Sequence, residues 1–461
     1  MKRAGWLAVL LSCVGACNAT TGVADGGAGG ISVSVQPAAS HVLPSGTLML
    51  TATVSGTADP AVMWAVQEGL VGGTVTASGS YTAPSAAGTY HVVASSHADS
   101  AATAVATVFV AAAGDCSALP AVGTWENVSP LSGKTATFSQ NFSEAIVVDP
   151  FDPATVWLTI GYGGIFKSTN CGALGSWVHV NTGRNGAAMD KGSHVSIAID
   201  PVDQGTMYAI SIFDTWGFWK STNGGVDWDQ LMEPNSEVTK VTNNFFDSVS
   251  MDPTDHHHLI LGLHSTCAAP HAKICQAETT DGGASWRIVD VSTPETNWEE
   301  GAGPWILDAN SWLYGGGHLW LTTNRGADWT EIDPDPAQFY SFSGGEVQTR
   351  SIARGSDGAY YLTCGQGIVQ SRDGGRSWSL LPGFHNRTVG LVIVGGNLFA
   401  SDEWSTGYYT ASENDLTHWT TIAPPAGLPS DQGAPYVDYD AAHHVLYSSN
   451  FAGGTWRLRM P

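Results

Sequence analysis

From residue 143 onward, short apolar runs alternate with polar, glycine-rich turns. Ala145-Ile-Val-Val148 is followed by Thr155-Val-Trp-Leu-Thr159, and Val195-Ser-Ile-Ala-Ile199 by Met207-Tyr-Ala-Ile210. Ser248-Val-Ser-Met251 precedes Leu259-Ile-Leu261, and Val437-Asp-Tyr439 precedes Val445-Leu-Tyr447. Runs of this length, rich in β-branched residues and bounded by turn residues, predict strands rather than helices. Three of the leading runs end in Asp-Pro, at 149–150, 200–201 and 252–253. Fainter pairs at 304–314, 350–363 and 388–400 bring the number of units to seven.

Between further runs the chain repeats an octet, Ser/Thr-x-Asp/Asn-x-Gly-x-x-Trp. It occurs at Ser221–Trp228, Thr279–Trp286, Thr322–Trp329 and Ser371–Trp378, with weaker copies from Ser168 to Trp177 and from Ser412 to Trp419. Each copy separates two β-type runs, which makes it a hairpin. The Asp or Asn can accept backbone hydrogen bonds, the glycines permit positive φ, and the Trp offers an apolar plate to the adjoining unit. Spacings of 53, 58, 43, 49 and 41 residues match four-stranded blades. The last unit has no octet, but Thr124-Trp-Glu-Asn-Val128 is an orphan strand that can complete it and close the ring. The fold class read here is all-β, a seven-bladed β-propeller over 118–461.

The front of the chain differs. Lys2-Arg3, an apolar run from Ala4 to Leu11, and Val14-Gly-Ala-Cys17 have the form of a secretory signal over 1–16. The last four residues resemble a bacterial lipobox, which implies cleavage before Cys17 and its lipidation. Asn18 in place of Asp favours delivery to the outer membrane. Residues 17–30 are a small, Gly-rich tether. Residues 31–112 alternate as strands, and Trp64 with Gly79-Ser-Tyr81 and Gly88-Thr-Tyr90 resembles a bacterial Ig-like sandwich. Its expected job is that of a spacer.

The octets resemble the Asp-box repeats of sialidases, sortilin-type domains, xyloglucan-degrading endoglucanases and photosystem II assembly factors. The likeness covers about three quarters of the chain and bears on fold more than on activity. Sialidases carry a Phe/Tyr-Arg-Ile-Pro element, which does not occur in this sequence, and three arginines around the substrate carboxylate. Arg184, Arg350 and Arg387 each precede an innermost strand and are the candidates here. The xyloglucan enzymes share the Asp-Pro element, but they place an Asp before Gly-Gly where this chain has Gly161. Their partner carboxylate resides on a second propeller that is not seen in this sequence. The photosystem factors use a basic patch, whereas this chain is acidic.

Lys plus Arg number 18 against 41 Asp plus Glu, a net charge of -23, which excludes nucleic acid as a partner. Membrane contact is expected through a lipid anchor only, and no cofactor or metal is implied. His256-His-His258 aligns with an exposed turn in other units. Of seven cysteines, Cys267 with Cys275, and Cys116 with Cys171, are expected disulfides in an oxidising compartment, leaving Cys364 unpaired.

In a propeller, the loops leading into each innermost strand and those joining second to third strands share the face opposite the octets. That face gathers Arg184, Asp190 and His194, then Asp214 and Trp216, then Asp247. Further round come Trp298, Glu299, Glu300, Tyr340, Arg350, Arg387, Asp402, Glu403 and Trp404. Aromatic rings beside carboxylates suit sugar, by stacking and by hydroxyl recognition. The leading expectation is an exported, lipid-anchored cell-envelope protein whose propeller binds an extracellular glycan or protein ligand. A glycoside hydrolase, sialidase-like or endoglucanase-like, is the alternative, and an envelope assembly scaffold the second alternative.

Overall fold

A computed structural model describes residues 30–36, 39–42, 44–110, 114–131, 141–203, 205–215, 217–232, 246–263, 266–292, 302–335, 342, 352–402 and 405–461. The lipidation candidate Cys17 lies outside the described residues. Among them no helix is long and apolar enough to cross a membrane.

Seven four-stranded antiparallel sheets account for the described strands between Trp125 and Arg459. In the first, Ser143–Val148, Val156–Ile160, Gly164–Ser168 and Val178–His179 pair in chain order. The second runs Ser193–Ile199, Met207–Ile212, Gly217–Ser221, Asp229–Met232, and the third Phe246–Asp252, Asp255–Leu263, Cys275–Thr279, Arg287–Asp290. The leading strands of the remaining four are Ala302–Asp308, Ala353–Arg354, Gly390–Val394 and Tyr436–Asp440. Leading strands touch in succession from the first sheet to the fourth and from the fifth to the seventh, and the seventh touches the first. This is a β-propeller arrangement. The fourth strand of the last sheet is Trp125–Asn127, whose Asn127 registers with Trp456 and whose Trp125 registers with Leu458.

The octets fold as the residue pattern implies. The first-position hydroxyl accepts the N–H of the fifth-position glycine at 2.9 Å in Ser221, Thr279 and Ser371 and at 2.8 Å in Thr322. The third-position oxygen accepts the N–H of residue seven: Asn223 from Asp227, Asp281 from Ser285, Asn324 from Asp328, Asp373 from Ser377. Trp228, Trp286 and Trp378 turn their indole N–H back onto the fifth-position carbonyl. Trp228 is fully buried in the cluster that holds Trp157 and Phe166 of the preceding sheet. The weak copy at Ser412 departs from this form. Without its glycine it becomes a two-residue hairpin, with Ser412 opposite Asp415 and Trp419 inside the next strand.

The Asp-Pro element is a second repeated device. Asp149 and Asp200 are buried, and one carboxylate oxygen of each accepts two N–H groups of the turn that follows. The other oxygen accepts Trp157 Nε1 or His256 Nδ1. Asp252 is a variant: one oxygen accepts the N–H and the hydroxyl of Thr254, and the other pairs with His258 Nδ1. This corrects the placement of the His256–His258 run in an exposed turn. The three lie in the strand Asp255–Leu263, and His258 is buried between Asp252 and Glu278.

Residues 32–110 form a separate set of sheets. Ala39–Val42, Thr103–Val110, Gly88–Ser96 and Val62–Val66 make one, and Thr47–Met49, Ser80–Thr82 and Thr74–Val75 another. They enclose Val35, Leu50, Tyr81, Val92 and Val108. Both expected disulfides are present, Cys116–Cys171 and Cys267–Cys275, and Cys364 is free and buried.

Candidate functional site

On the face opposite the octets, the described residues bring most chemistry together where the first and second sheets meet. The turn Gly161-Tyr-Gly-Gly164 joins the second and third strands of the first sheet. Gly161 exchanges backbone hydrogen bonds with Asn141 and Phe142, and Tyr162 donates its N–H to Gly192 at 2.9 Å with φ at 57°. A Cβ on Gly161 would stand 2.4 Å from the Phe142 ring, so this position has no room for a carboxylate while Phe142 stays in place. At Gly164, φ is +86° and a Cβ would fall 2.2 Å from Asp190 Oδ1. That glycine lets a polar group close over the strand end. Asp190 Oδ1 accepts from His179 Nε2 and Asn181 Nδ2, both at 2.7 Å, and Asn181 Oδ1 accepts the N–H of Ile165.

Behind this group lies Glu144, 1% exposed on the leading strand of the first sheet. Its carboxylate accepts the Ser193 hydroxyl and, at 2.6 Å, the His194 N–H. Asp214 sits on the surface in the short turn Phe213–Thr215, whose Thr215 hydroxyl donates to Ala188 O. Burial pushes the Tyr162 phenol above its ordinary pKa, helped by the negative charges of Asp214 and Glu144. Tyr162, the half-exposed His179–Asp190 pair, the exposed Lys191 and Asp214 are thus open to a ligand. Glycosidic acid–base work needs two carboxylates facing one cleft. Asp190 and Asp214 are the described carboxylates open to solvent at this corner.

Other expected site residues fall elsewhere. Arg184 pairs with Asp229 at 2.7 Å and takes its backbone contact from Asp227, beside the octet turn of the second sheet. It lies against that hairpin and not on the axial face, because the chain after Val178–His179 crosses the neighbouring turn before climbing. His194 is fully buried, its Nε2–H donating to Met189 O, and desolvation pulls its pKa down to about 4. It is a neutral packing residue, out of reach of a ligand. Arg387 is exposed in the loop before Gly390–Val394, and half-buried Asp402 accepts the Ser405 hydroxyl at 2.7 Å. Asp247 belongs to a described strand, but its side chain lies outside the described residues. So do Trp216, Trp298, Glu299, Glu300, Tyr340, Arg350, Glu403 and Trp404.

Sequence reasoning passed over Tyr162, His179, Asn181 and Glu144. Glu144 carried a signal, a carboxylate inside an otherwise apolar innermost run. Tyr162 carries no such signal, because its glycine-rich turn stands out in sequence only for the carboxylate missing at 161.

No protein-family profile matches the chain. Among curated proteins it is similar to the xyloglucanase Xgh74A of Acetivibrio thermocellus, 25% identical over 278 residues. That match takes in 51% of this chain and 32% of the relative, so the chain spans about a third of the relative's length. Among solved structures, it shares its fold with a GH74 xyloglucanase from Xanthomonas campestris, at a TM-score of 0.50 and 15% identity. The likeness covers 73% of this chain and 53% of that one. YCF48 bound to D1 peptide also aligns, at a TM-score of 0.49 and 11% identity, over 76% of this chain and 100% of that one.

Proposed function

We propose that this chain is a glycoside-hydrolase-like propeller directed at an extracellular polysaccharide of the β-glucan kind. The observation that carries the reading is the 278-residue likeness to a xyloglucanase, joined to a propeller-type arrangement of sheets. In this reading the seven sheets are the blades of one ring over 118–461. The working face is the one opposite the octets. Asp214 and Asp190 serve as its accessible carboxylates, with Tyr162 beside them. The aromatic residues Trp216, Trp298, Tyr340 and Trp404 act as sugar platforms, with Asp247, Glu299, Glu300, Glu403, Asp402, Arg350 and Arg387 as polar contacts.

Binding without hydrolysis is the second reading, and one observation favours it: the Gly161 site is packed shut by Phe142. Incubating the full chain with xyloglucan and mixed-linkage glucan separates the two. Release of reducing ends that Asp214→Asn abolishes supports hydrolysis. Retention on polysaccharide gels without release supports binding alone. Neither result on any β-glucan overturns both readings.

The same proposal includes export through residues 1–16, acylation of Cys17, outer-membrane attachment, a tether to residue 30 and an Ig-like spacer over 31–112. Radiolabelled palmitate incorporation that Cys17→Ser abolishes is the expected result, and unlabelled wild-type protein would remove the anchor.

A further inference from the structure

The Asp-Pro repeats build something that the proposed glycan face does not use. First and third strands of a sheet run in the same direction, so the Asp-Pro turns share a face with the octets. There, at the ends of neighbouring leading strands, opens a cavity of about 450 Å³. Val147, Val148, Ile197, Ile199, Val249 and Met251 form its walls. Because each repeat Asp folds inward to cap its own turn, the prolines that follow it, Pro150, Pro201 and Pro253, stand exposed on the rim. Ala198, the buried Asp252 that pairs with His258, and Asp438 of the seventh sheet complete the lining; Asp438 is half-buried and accepts the N–H groups of Val148 at 2.8 Å and Tyr439 at 2.9 Å.

We infer that this axial cup receives an aliphatic side chain from a basic polypeptide segment. The volume falls in the range of ligand pockets, and the walls are aliphatic. Among the described residues no aromatic ring lines the cup, so they supply no stacking platform of the kind that sugars use. Asp438 at the lining, on a chain of net charge -23, makes a cationic flank the complementary one and disfavours an anionic lipid surface.

The probe is a synthetic acetyl-Arg-Leu-Leu-Arg amide titrated calorimetrically into the full chain. Arg-Ser-Ser-Arg and Glu-Leu-Leu-Glu amides, cellotetraose and anionic phosphatidylglycerol vesicles are run in parallel. Saturable binding of the first peptide is expected. The serine and glutamate peptides should bind at least about tenfold more weakly, a difference of about 1.4 kcal/mol. Asp438→Asn should weaken the first peptide about threefold to tenfold and leave the thermal transition in place. Ile199→Trp, which fills the cup, should abolish binding while cleavage or retention of β-glucan on the opposite face persists. Equal binding of the serine peptide, indifference to both substitutions, or preferential uptake of cellotetraose or vesicles through the cup would overturn the assignment.

Discussion

Gly161 shows how one missing methyl group decides what a site can hold. Its hypothetical Cβ meets the Phe142 ring at 2.4 Å, and Phe142 is itself buried against Tyr162 and Phe451. Overpacking of this kind costs about 1–3 kcal/mol, so Gly161→Ala should lower stability by that amount in urea titrations. In a Phe142→Ala background the same change should cost little, because the clash partner is gone. Equal costs in both backgrounds would show that the ring is not the obstacle. Asp281 and Asp373 make a second residue-scale point. Hydrogen bonds from Ser285 and Thr279 hold Asp281 down at about 2. Asp373, whose partial burial works the other way, is held at about 2 by Ser377 and Ser371. A depressed folded-state value means stability that is present above the ordinary carboxylate pKa and lost as pH falls toward about 2. Two native copies of the octet use Asn at this position, so Asp281→Asn with Asp373→Asn keeps the turn and removes the titration. The wild type should lose more thermal stability than the double variant between about pH 4 and about pH 2.

At the scale of strands, the bridge through His258 ties three segments of the third sheet. Burial opposes its charge, but hydrogen bonds to Glu278 and Asp252 outweigh that and raise its pKa. Protonated, the ring donates to both carboxylates; neutral, it can donate to one. Stability from a raised folded pKa is complete below the ordinary histidine value and falls as pH rises through the raised one. His258→Gln should therefore flatten the loss of thermal stability between about pH 6 and about pH 9, and an unchanged slope would assign that loss elsewhere. This residue also marks where sequence reading stopped. Strand order and hairpin positions were legible because each rests on local chemistry repeated several times, the closing strand because the last unit lacks its fourth run, and the cysteine pairs because Cys267 and Cys275 bracket one loop while Cys116 precedes the closing strand. The burial of His258 was not, since alignment by repeat assigns a residue to a position and not to the partners that neighbouring strands supply there. The same applies to the corner site. Asp214 was visible as a carboxylate beside Trp216 in a loop, whereas His179 and Asn181 gain meaning only once Gly164 lets them close over the first sheet. Arg184 was misplaced because loop membership fixes a segment and leaves its path free.

Closure of the last sheet by the segment that precedes the first rests on one buried cation as much as on strand pairing. Arg457, 1% exposed, reaches Glu126 on the closing strand at 2.8 Å. It also donates to the carbonyl oxygens of Cys171, at 2.6 Å, and Ala118. One side chain thus joins the last strand, the segment before the first, and the octet-like turn of the first sheet. The Cys116–Cys171 disulfide ties two of those same three pieces covalently. The two devices are redundant in position but not in kind: the disulfide limits the unfolded chain, and the guanidinium satisfies carbonyls in the folded one. Arg457→Met keeps the bulk and leaves those acceptors bare, at a cost of about 1–3 kcal/mol in oxidised protein. Removing the disulfide alone, as Cys116→Ala with Cys171→Ala, should cost about 2–5 kcal/mol. With the covalent tie gone, loss of Arg457 should free the 114–128 segment. The combined variant should then lose more than the two separate costs added together, and limited proteolysis should cut near residue 118 before the sheets unfold. Strict additivity, with 114–128 still protected, would show that Trp125 packed on Tyr408 and the strand register hold the last sheet closed without the arginine.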